Sequence, residues 1–213
     1  MNARISRLLG CLALVFAAAN ARADVIVSDT TYRDFDGSAG YVTFDVTTHG
    51  LIDDLNVAIE FSKCDNPYLK ANGGPCVGQD TPWEDEIVIR LVAPNGQTIT
   101  LVGAETFEPG DTPGAGRVTM TFDDEGAKLG TRVQAGRFRP VQALSVFDDT
   151  EMFGQWKLYF ADLFESDPLE VYSSRLIFRP VEEVQPSEMP EPGSLAVFGA
   201  GLLGLAALRR RRA

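Results

Sequence analysis

The amino-acid sequence predicts an all-β fold, an antiparallel, jelly-roll-like β-sandwich, with an apolar segment near each end of the chain. Two observations predict it. Short segments of alternating apolar and polar residues, or of consecutive β-branched residues, are separated by Gly, Pro, Asp and Asn. Between residues 24 and 180 the best helical candidate, residues 124–130, has room for two turns at most. Many short strands separated by turns pack most simply as two facing sheets.

The predicted strands follow one another along a single domain, residues 24–180. Roughly 155 residues are enough for one domain with its own core. By number, the strands are residues 41–46, 55–61, 87–92, 98–102, 117–122, 156–160 and 175–178. An acidic, proline-containing linker, residues 181–189, is expected to follow the domain.

The charge of the chain excludes nucleic acid as a partner. The 213 residues include 19 basic and 30 acidic side chains, a formal net charge of −11. Seven of the bases lie near the two ends, so residues 24–190 hold 12 bases against 29 acids, a net of −17. A surface of this sign repels phosphate. One histidine and three cysteines are also too few for a His-rich or Cys-rich zinc site.

The N-terminal residues 1–23 are predicted to be a secretory signal peptide. Two arginines precede an apolar stretch, residues 8–19, and an Ala-Arg-Ala signature follows it, so cleavage is expected between Ala23 and Asp24. The stretch is too short to cross a hydrocarbon layer about 30 Å thick. The alternative is a lipoprotein signal ending at Cys11, although most of the apolar run would then follow that cysteine.

The C-terminal residues 190–213 have a specific order of elements. Pro190-Glu191-Pro192 is followed by an apolar, Gly-rich segment, residues 195–208. Four consecutive arginines come next: Arg209, Arg210, Arg211 and Arg212. A basic cluster holds its end of a membrane segment in the cytoplasm, which leaves the preceding domain outside.

This order resembles the PEP-CTERM sorting signal of Gram-negative bacteria. The resemblance implies a transmembrane helix over residues 195–208 that anchors the chain transiently in the inner membrane. It also implies recognition by an exosortase, the processing enzyme that removes such tails, and delivery to the cell surface or extracellular space. The alternative is an ordinary C-terminal membrane anchor that is retained.

Cys64 and Cys76 are the two cysteines left after removal of the signal peptide. In an oxidising compartment an isolated pair is expected to form a disulfide, and the eleven intervening residues are rich in Gly, Asn and Pro. The spacing is far from the Cys-x-x-Cys of redox-active pairs. We therefore predict that the disulfide closes one loop of the domain.

Seven stretches carry a further pattern. They are Leu-Ile-Asp-Asp-Leu-Asn-Val at 51–57, Glu-Ile-Val-Ile-Arg-Leu-Val-Ala-Pro-Asn-Gly at 86–96, Thr-Phe-Asp-Asp-Glu at 121–125, Gly-Arg-Phe-Arg-Pro at 136–140, Ala-Leu-Ser-Val-Phe at 143–147, Gly-Gln-Trp-Lys-Leu-Tyr-Phe-Ala-Asp at 154–162 and Ser-Arg-Leu-Ile-Phe at 174–178. In this order they resemble the P domain (P/Homo B domain) of subtilisin-like proprotein convertases. Ser62-Lys63-Cys64 and the disulfide loop stand where that family commonly has a histidine.

The P-domain resemblance implies an association with serine-type endopeptidases, although the sequence predicts no catalytic residues. The single histidine, His49, lies in a loop-like segment, and no Gly-x-Ser-x-Gly elbow occurs. Adjacent acids such as Asp53 and Asp54 point to opposite faces of a strand, so they cannot form the acid/base couple of a glycosidase.

Calcium is the cofactor that the acidic residues favour. Glu86, Asp123, Asp124 and Asp162 stand at strand ends where the resemblance places acids, and Ca²⁺ takes six to eight oxygen ligands from such positions. The alternative is that the acids form a solvated surface.

These observations predict a non-catalytic, exported interaction or structural module. Its expected partners are the exosortase and then an extracellular polysaccharide or a cell-surface protein. The alternative is an accessory P domain that acts in trans on a separate subtilisin-like protease chain.

Overall fold

A computed structural model describes residues 23–64, 69–76, 81–110 and 114–182, and these residues form ten strands. The strands are β1 Val25–Asp29, β2 Arg33–Phe35, β3 Ala39–Val46, β4 Ile52–Lys63, β5 Ile87–Val92, β6 Thr98–Val102, β7 Val118–Ala127, β8 Gly136–Phe138, β9 Gly154–Asp162 and β10 Leu169–Pro180. Three short 3-10 helices, Lys70–Asn72, Glu84–Glu86 and Leu144–Phe147, complete the described elements. The all-β prediction is confirmed.

The strands form two sheets. The first has the order β1-β10-β4-β7-β8, with β2 also paired to β10, and the second has the order β3-β9-β5-β6. The described pairings are antiparallel except that β8 runs parallel to β7, which departs from the predicted antiparallel arrangement. The parallel pairing arises because the chain leaves β7 at Ala127 and returns to the edge near Met120, which lies beside Gly136.

Most of the fold follows the predicted alternation. All seven predicted strands fall within or overlap observed ones, and residues 41–46 of β3 alternate between exposed and buried positions along the strand. The helical candidate at 124–130 is wrong: residues 124–127 continue β7. Three strands were not predicted, β1, β2 and β8, and two of them are only three residues long.

The core lies between the two sheets and centres on Trp156 of β9, whose side chain is fully buried. Its ring makes edge contacts with Phe147 and with Phe178 of β10, at centroid distances of 5.1 and 5.2 Å. The indole nitrogen donates a hydrogen bond to the carbonyl oxygen of Met152 at 2.8 Å. Because β9 and β10 belong to different sheets, this one side chain ties the two layers together.

The predicted delivery segments lie largely outside the described residues. They comprise the signal peptide up to residue 22, most of the linker, and the whole sorting segment with its proposed helix at 195–208. Within the part of the chain that the structure describes, no helix is long and apolar enough to span a membrane. The described residues all belong to one compact unit that ends at Glu182, and the predicted domain boundaries stay predictions.

Candidate functional site

The disulfide predicted between Cys64 and Cys76 is confirmed, with Cα atoms 5.5 Å apart. It closes the loop between residues 64 and 76, which directly follows β4 and which we call the insertion. Glu170 of β10, fully buried, holds the same insertion by accepting hydrogen bonds from the backbone N–H groups of Leu69 and Lys70. The insertion is therefore fastened at two points beside the end of β4.

A group of four charged residues lies directly next to this disulfide, and we refer to it as the lysine–carboxylate cluster: Lys63, Glu86, Asp162 and Asp167. Lys63 is the last residue of β4, and Asp162 is the last residue of β9. Glu86 ends a 3-10 helix immediately before Ile87, which pairs with Asp162. Asp167 lies in the loop that leads from β9 into β10. The cluster thus forms where strand ends of the two sheets meet.

The ammonium of Lys63 is surrounded by carboxylate oxygens. Its Nζ lies 2.7 and 2.9 Å from the two oxygens of Asp162, and 3.2 Å from Glu86 Oε2 and from Asp167 Oδ2. The Lys63 side chain has no solvent exposure, and those of Asp162 and Asp167 have 0% and 1%. Backbone N–H groups complete the set: Leu169 donates to Asp162 Oδ2 and Trp83 to Asp167 Oδ2.

Burial sets the ionisation of this cluster. It raises the pKa of Glu86 to about 7, against the opposing attraction of the Lys63 ammonium. It also raises the pKa of Asp162 and of Asp167, again against the pull of Lys63. Burial alone would lower the pKa of Lys63, but Asp162, Asp167 and Glu86 together outweigh it and the pKa is raised. Three carboxylates facing one ammonium therefore hold protons more tightly than free acids do.

This electrostatic arrangement predicts that the stability of the domain falls as pH rises. Because the pKa of Glu86 is raised from 4.5 to about 7, the native state keeps a proton that the unfolded chain has released in this interval. The free energy of unfolding is expected to fall by on the order of 2 kcal/mol between pH 5 and pH 8. Urea denaturation at a series of pH values measures it.

The matched variants for this prediction are Glu86→Gln and Glu108→Gln. Glu86→Gln is expected to flatten the pH dependence, leaving the part due to Asp162 and Asp167, whose pKa values are also raised. Glu108 is exposed, so its substitution should leave the wild-type curve in place. Parallel curves for the wild type and Glu86→Gln would contradict the prediction.

The four predicted calcium ligands lie in two separate places. Glu86 and Asp162 both contact Lys63, whereas Asp123 and Asp124 lie on β7 at the other end of the sheet. The β4 and β7 register places Val57 beside Phe122, so Asp123 lies about seven residues along β4 from Lys63, or about 20 Å at the rise of a strand.

Asp123 and Asp124 are bound by groups of the protein itself. Asp123 forms an ion pair with Arg137 and accepts a hydrogen bond from the Glu125 backbone N–H at 2.7 Å. The two oxygens of Asp124 accept from the N–H groups of Leu144 and Ser145, at 2.9 and 2.8 Å, at the start of a 3-10 helix. No group of three or more His, Cys, Asp or Glu among the described residues is arranged to hold a metal. The calcium site stays a prediction.

His49, the single histidine of the chain, lies on the surface. Its ring stacks on Phe153 with centroids 4.1 Å apart, and its Nδ1 lies 3.7 Å from a carboxylate oxygen of Glu151. This is the arrangement of a surface histidine packed on an aromatic side chain.

Comparison with known proteins matches one part of the chain to a described motif. Residues 190–212 match the PEP-CTERM protein-sorting motif. The match confirms the predicted sorting signal and indicates exosortase-dependent sorting of an exported protein. The residues concerned include Pro190, Glu191 and Pro192 and the four terminal arginines, which lie outside the described residues.

Two solved structures show a low similarity to the chain. The crystal structure of the Aeromonas sobria serine protease in complex with its chaperone is 13% identical with a TM-score of 0.35, and that of the Aeromonas sobria serine protease is 12% identical with a TM-score of 0.32. Each similarity covers 72% of this chain and 27% of the solved chain. Comparison with curated proteins gives no match. The P-domain resemblance stays a prediction.

Proposed function

We propose that the protein is a non-catalytic β-sandwich module that is exported and sorted by the exosortase route. Its destination is the cell surface or the extracellular polysaccharide matrix, where it makes contacts with polysaccharide or surface protein. The match of residues 190–212 to the PEP-CTERM motif carries this proposal. A chain with such a tail acts outside the cytoplasm, and the disulfide between Cys64 and Cys76 suits an oxidising compartment.

The strand order supports the jelly-roll interpretation of the domain. When the short strands β2 and β8 are set aside, the remaining eight form two four-stranded sheets in the orders β1-β10-β4-β7 and β3-β9-β5-β6. Apart from the β5–β6 hairpin, neighbours in each sheet come from distant parts of the chain, and every neighbouring pair is antiparallel. Double-sheet jelly rolls of eight strands occur in lectins and other binding proteins. The architecture therefore suits a contact-making role.

The surface offers apolar side chains for such contacts. Leu163 and Phe164 are consecutive, lie in the loop between β9 and β10, and are 46% and 65% exposed. Trp83, 49% exposed, is joined to the same loop because its backbone N–H donates to Asp167. Exposed apolar groups on neighbouring segments favour a binding surface.

The sorting motif is the part to test first. In a Gram-negative host that carries an exosortase, the wild-type chain is expected to lose its C-terminal tail and leave the inner membrane. Joint substitution of Pro190, Glu191 and Pro192 by alanine is expected to leave a full-length chain in the inner membrane. The matched control substitutes Gln185, Ser187 and Glu188 in the linker and should behave as wild type. Cell fractionation with mass spectrometry of the C terminus measures both.

The same experiment separates the proposal from its alternatives. Wild-type protein found in the cytosol, or a motif variant distributed as the wild type, would contradict exosortase sorting. Purified wild-type protein is expected to show no hydrolysis of casein or of common polysaccharides. Reproducible turnover that a single Asp or Ser substitution abolishes would instead make the protein an enzyme. Casein hydrolysis by a separate subtilisin-like protease that is faster with this chain present than without it would favour the accessory P-domain role.

A further inference from the structure

Lys63 and Asp162 bring an amine and a carboxyl group together across the two sheets. Lys63 ends β4 of the first sheet and Asp162 ends β9 of the second. Both oxygens of Asp162 lie within 2.9 Å of Nζ. The carboxyl carbon between them therefore lies about 3 Å from Nζ, close to the 3–3.5 Å of a near-attack geometry. Neither side chain is exposed to solvent.

We propose that Lys63 and Asp162 form an intramolecular isopeptide bond between Nζ and Cγ, with Glu86 as the group that carries protons. The bond would join the two sheets covalently. It is an inference about the β-domain itself and does not depend on the function proposed above.

The reaction balances without any further reagent. One proton moves from the Lys63 ammonium to the buried carboxyl groups, which leaves a neutral amine and a protonated Asp162. The amine attacks Cγ, a C–N bond forms, and a tetrahedral centre results. Glu86 takes a second proton from nitrogen and gives a proton to one Asp162 oxygen, and that C–O bond breaks. An ammonium and a carboxylate thus become one amide and one water molecule, with no change in net charge.

The position of Glu86 fits a proton carrier. Its Oε2 lies 3.2 Å from Nζ, the same nitrogen that both oxygens of Asp162 contact. A general acid/base must lie within hydrogen-bond reach of the group it serves, and Glu86 Oε2 meets this condition for Nζ.

Burial also favours the product. A buried ammonium and carboxylate have lost the solvation they would have in water, and an amide carries no charge to desolvate. Water is largely excluded from the cluster, so hydrolysis of the product is hindered. Asp167 Oδ2, 3.2 Å from Nζ, is placed to accept the one N–H that the amide keeps. The other Asp167 oxygen has no hydrogen-bond partner and is buried.

The isopeptide bond would lie beside the Cys64–Cys76 disulfide, because Lys63 and Cys64 are consecutive. One cross-link would then hold β4 to the insertion and the other would hold β4 to β9. Since the Lys63 ammonium lowers the pKa of Glu86, its conversion to an amide would raise that pKa further. The pH dependence expected for Glu86 therefore keeps its sign in the cross-linked protein.

The test is mass spectrometry of the purified full-length chain after denaturation, reduction and alkylation. We expect the Lys63 and Asp162 peptides of a tryptic digest as one branched species, lighter than their sum by one water molecule. Trypsin should not cleave after Lys63, because an acylated lysine is not a substrate. Recovery of unmodified Lys63 and Asp162 peptides from the folded wild-type protein would overturn the proposal.

Four variants test the assigned roles. Asp162→Ala should give no branched peptide, while Asp162→Asn should still form one with loss of ammonia in place of water. Glu86→Gln should remain folded, as shown by circular dichroism, and largely unlinked. The control Lys157→Arg changes a lysine of β9 outside the cluster and should cross-link fully. Linkage in Glu86→Gln at the wild-type extent would overturn the role of Glu86, and linkage in Asp162→Ala would overturn the assignment of Asp162.

Discussion

Substitution of Lys63 by methionine is expected to lower the free energy of unfolding by about 3–5 kcal/mol, the cost of removing one partner from a buried ion pair. Methionine fills much of the same volume, so packing changes little. In protein without the isopeptide bond, the loss arises because Glu86, Asp162 and Asp167 are left facing one another without a cation. Where the bond has formed, the substitution also removes that link between the two sheets. Chemical denaturation at pH 8, followed by far-ultraviolet circular dichroism, measures it.

Acid separates the charge effect of this substitution from a packing effect. With the ammonium gone, the raised pKa values of Glu86 and the two aspartates rise further, and protonation at pH 5 removes the repulsion. The destabilisation caused by Lys63→Met should therefore shrink from pH 8 to pH 5. Lys157→Met, on the partly exposed side of β9, should stay within about 0.5 kcal/mol of wild type at both values. An equal loss at both pH values would contradict the charge effect.

The sequence predicts two of the four residues of the lysine–carboxylate cluster as site residues. Glu86 and Asp162 were singled out because both stand at strand ends, and the structure brings these two together. Their cation was missed, because a lysine near a loop is usually solvated. A signal was present in β4: Val57, Ile59, Phe61 and Lys63 follow one another at the two-residue period of a single face. The first three are fully buried, so the fourth is directed into the same interior.

Asp167 could not have been found in this way. It lies in the irregular loop before β10, where no periodicity assigns a side chain to a face. Its burial depends on long-range partners, namely Lys63 and the backbone N–H of Trp83. Loop positions of this kind are set by tertiary contacts alone.

The fold was more predictable than the site because strands have a periodic pattern of residues and loops do not. Long strands such as β4 and β9 carry enough apolar residues to identify them as strands, although each begins and ends two or three residues beyond its predicted bounds. β2 and β8, three residues each, exist because β10 and β7 offer free edges to pair with. Three residues are too few to show an alternating pattern in the sequence. In β8, Gly136 even disfavours a strand.

Substitution of Trp156 by alanine is expected to cost about 3–5 kcal/mol, the usual range for a large aromatic residue removed from a core. The side chain is fully buried between the sheets, so the change leaves a cavity against Phe147 and Phe178. It also leaves the Met152 carbonyl without its donor. Domains have total stabilities of about 5–15 kcal/mol. A loss of this size is therefore expected to leave little of the variant folded near the midpoint temperature of the wild type.

The second tryptophan supplies the matched control for this prediction. Trp83 is 49% exposed, so Trp83→Ala should cost less, about 1–2 kcal/mol, because only about half of its side chain is buried. Trp156→Phe keeps an aromatic ring in the core and loses the indole N–H, so its cost should fall between the two. Far-ultraviolet circular dichroism during urea denaturation follows all three variants. If Trp156→Ala and Trp83→Ala cost the same, Trp156 cannot be the residue through which the two sheets pack together.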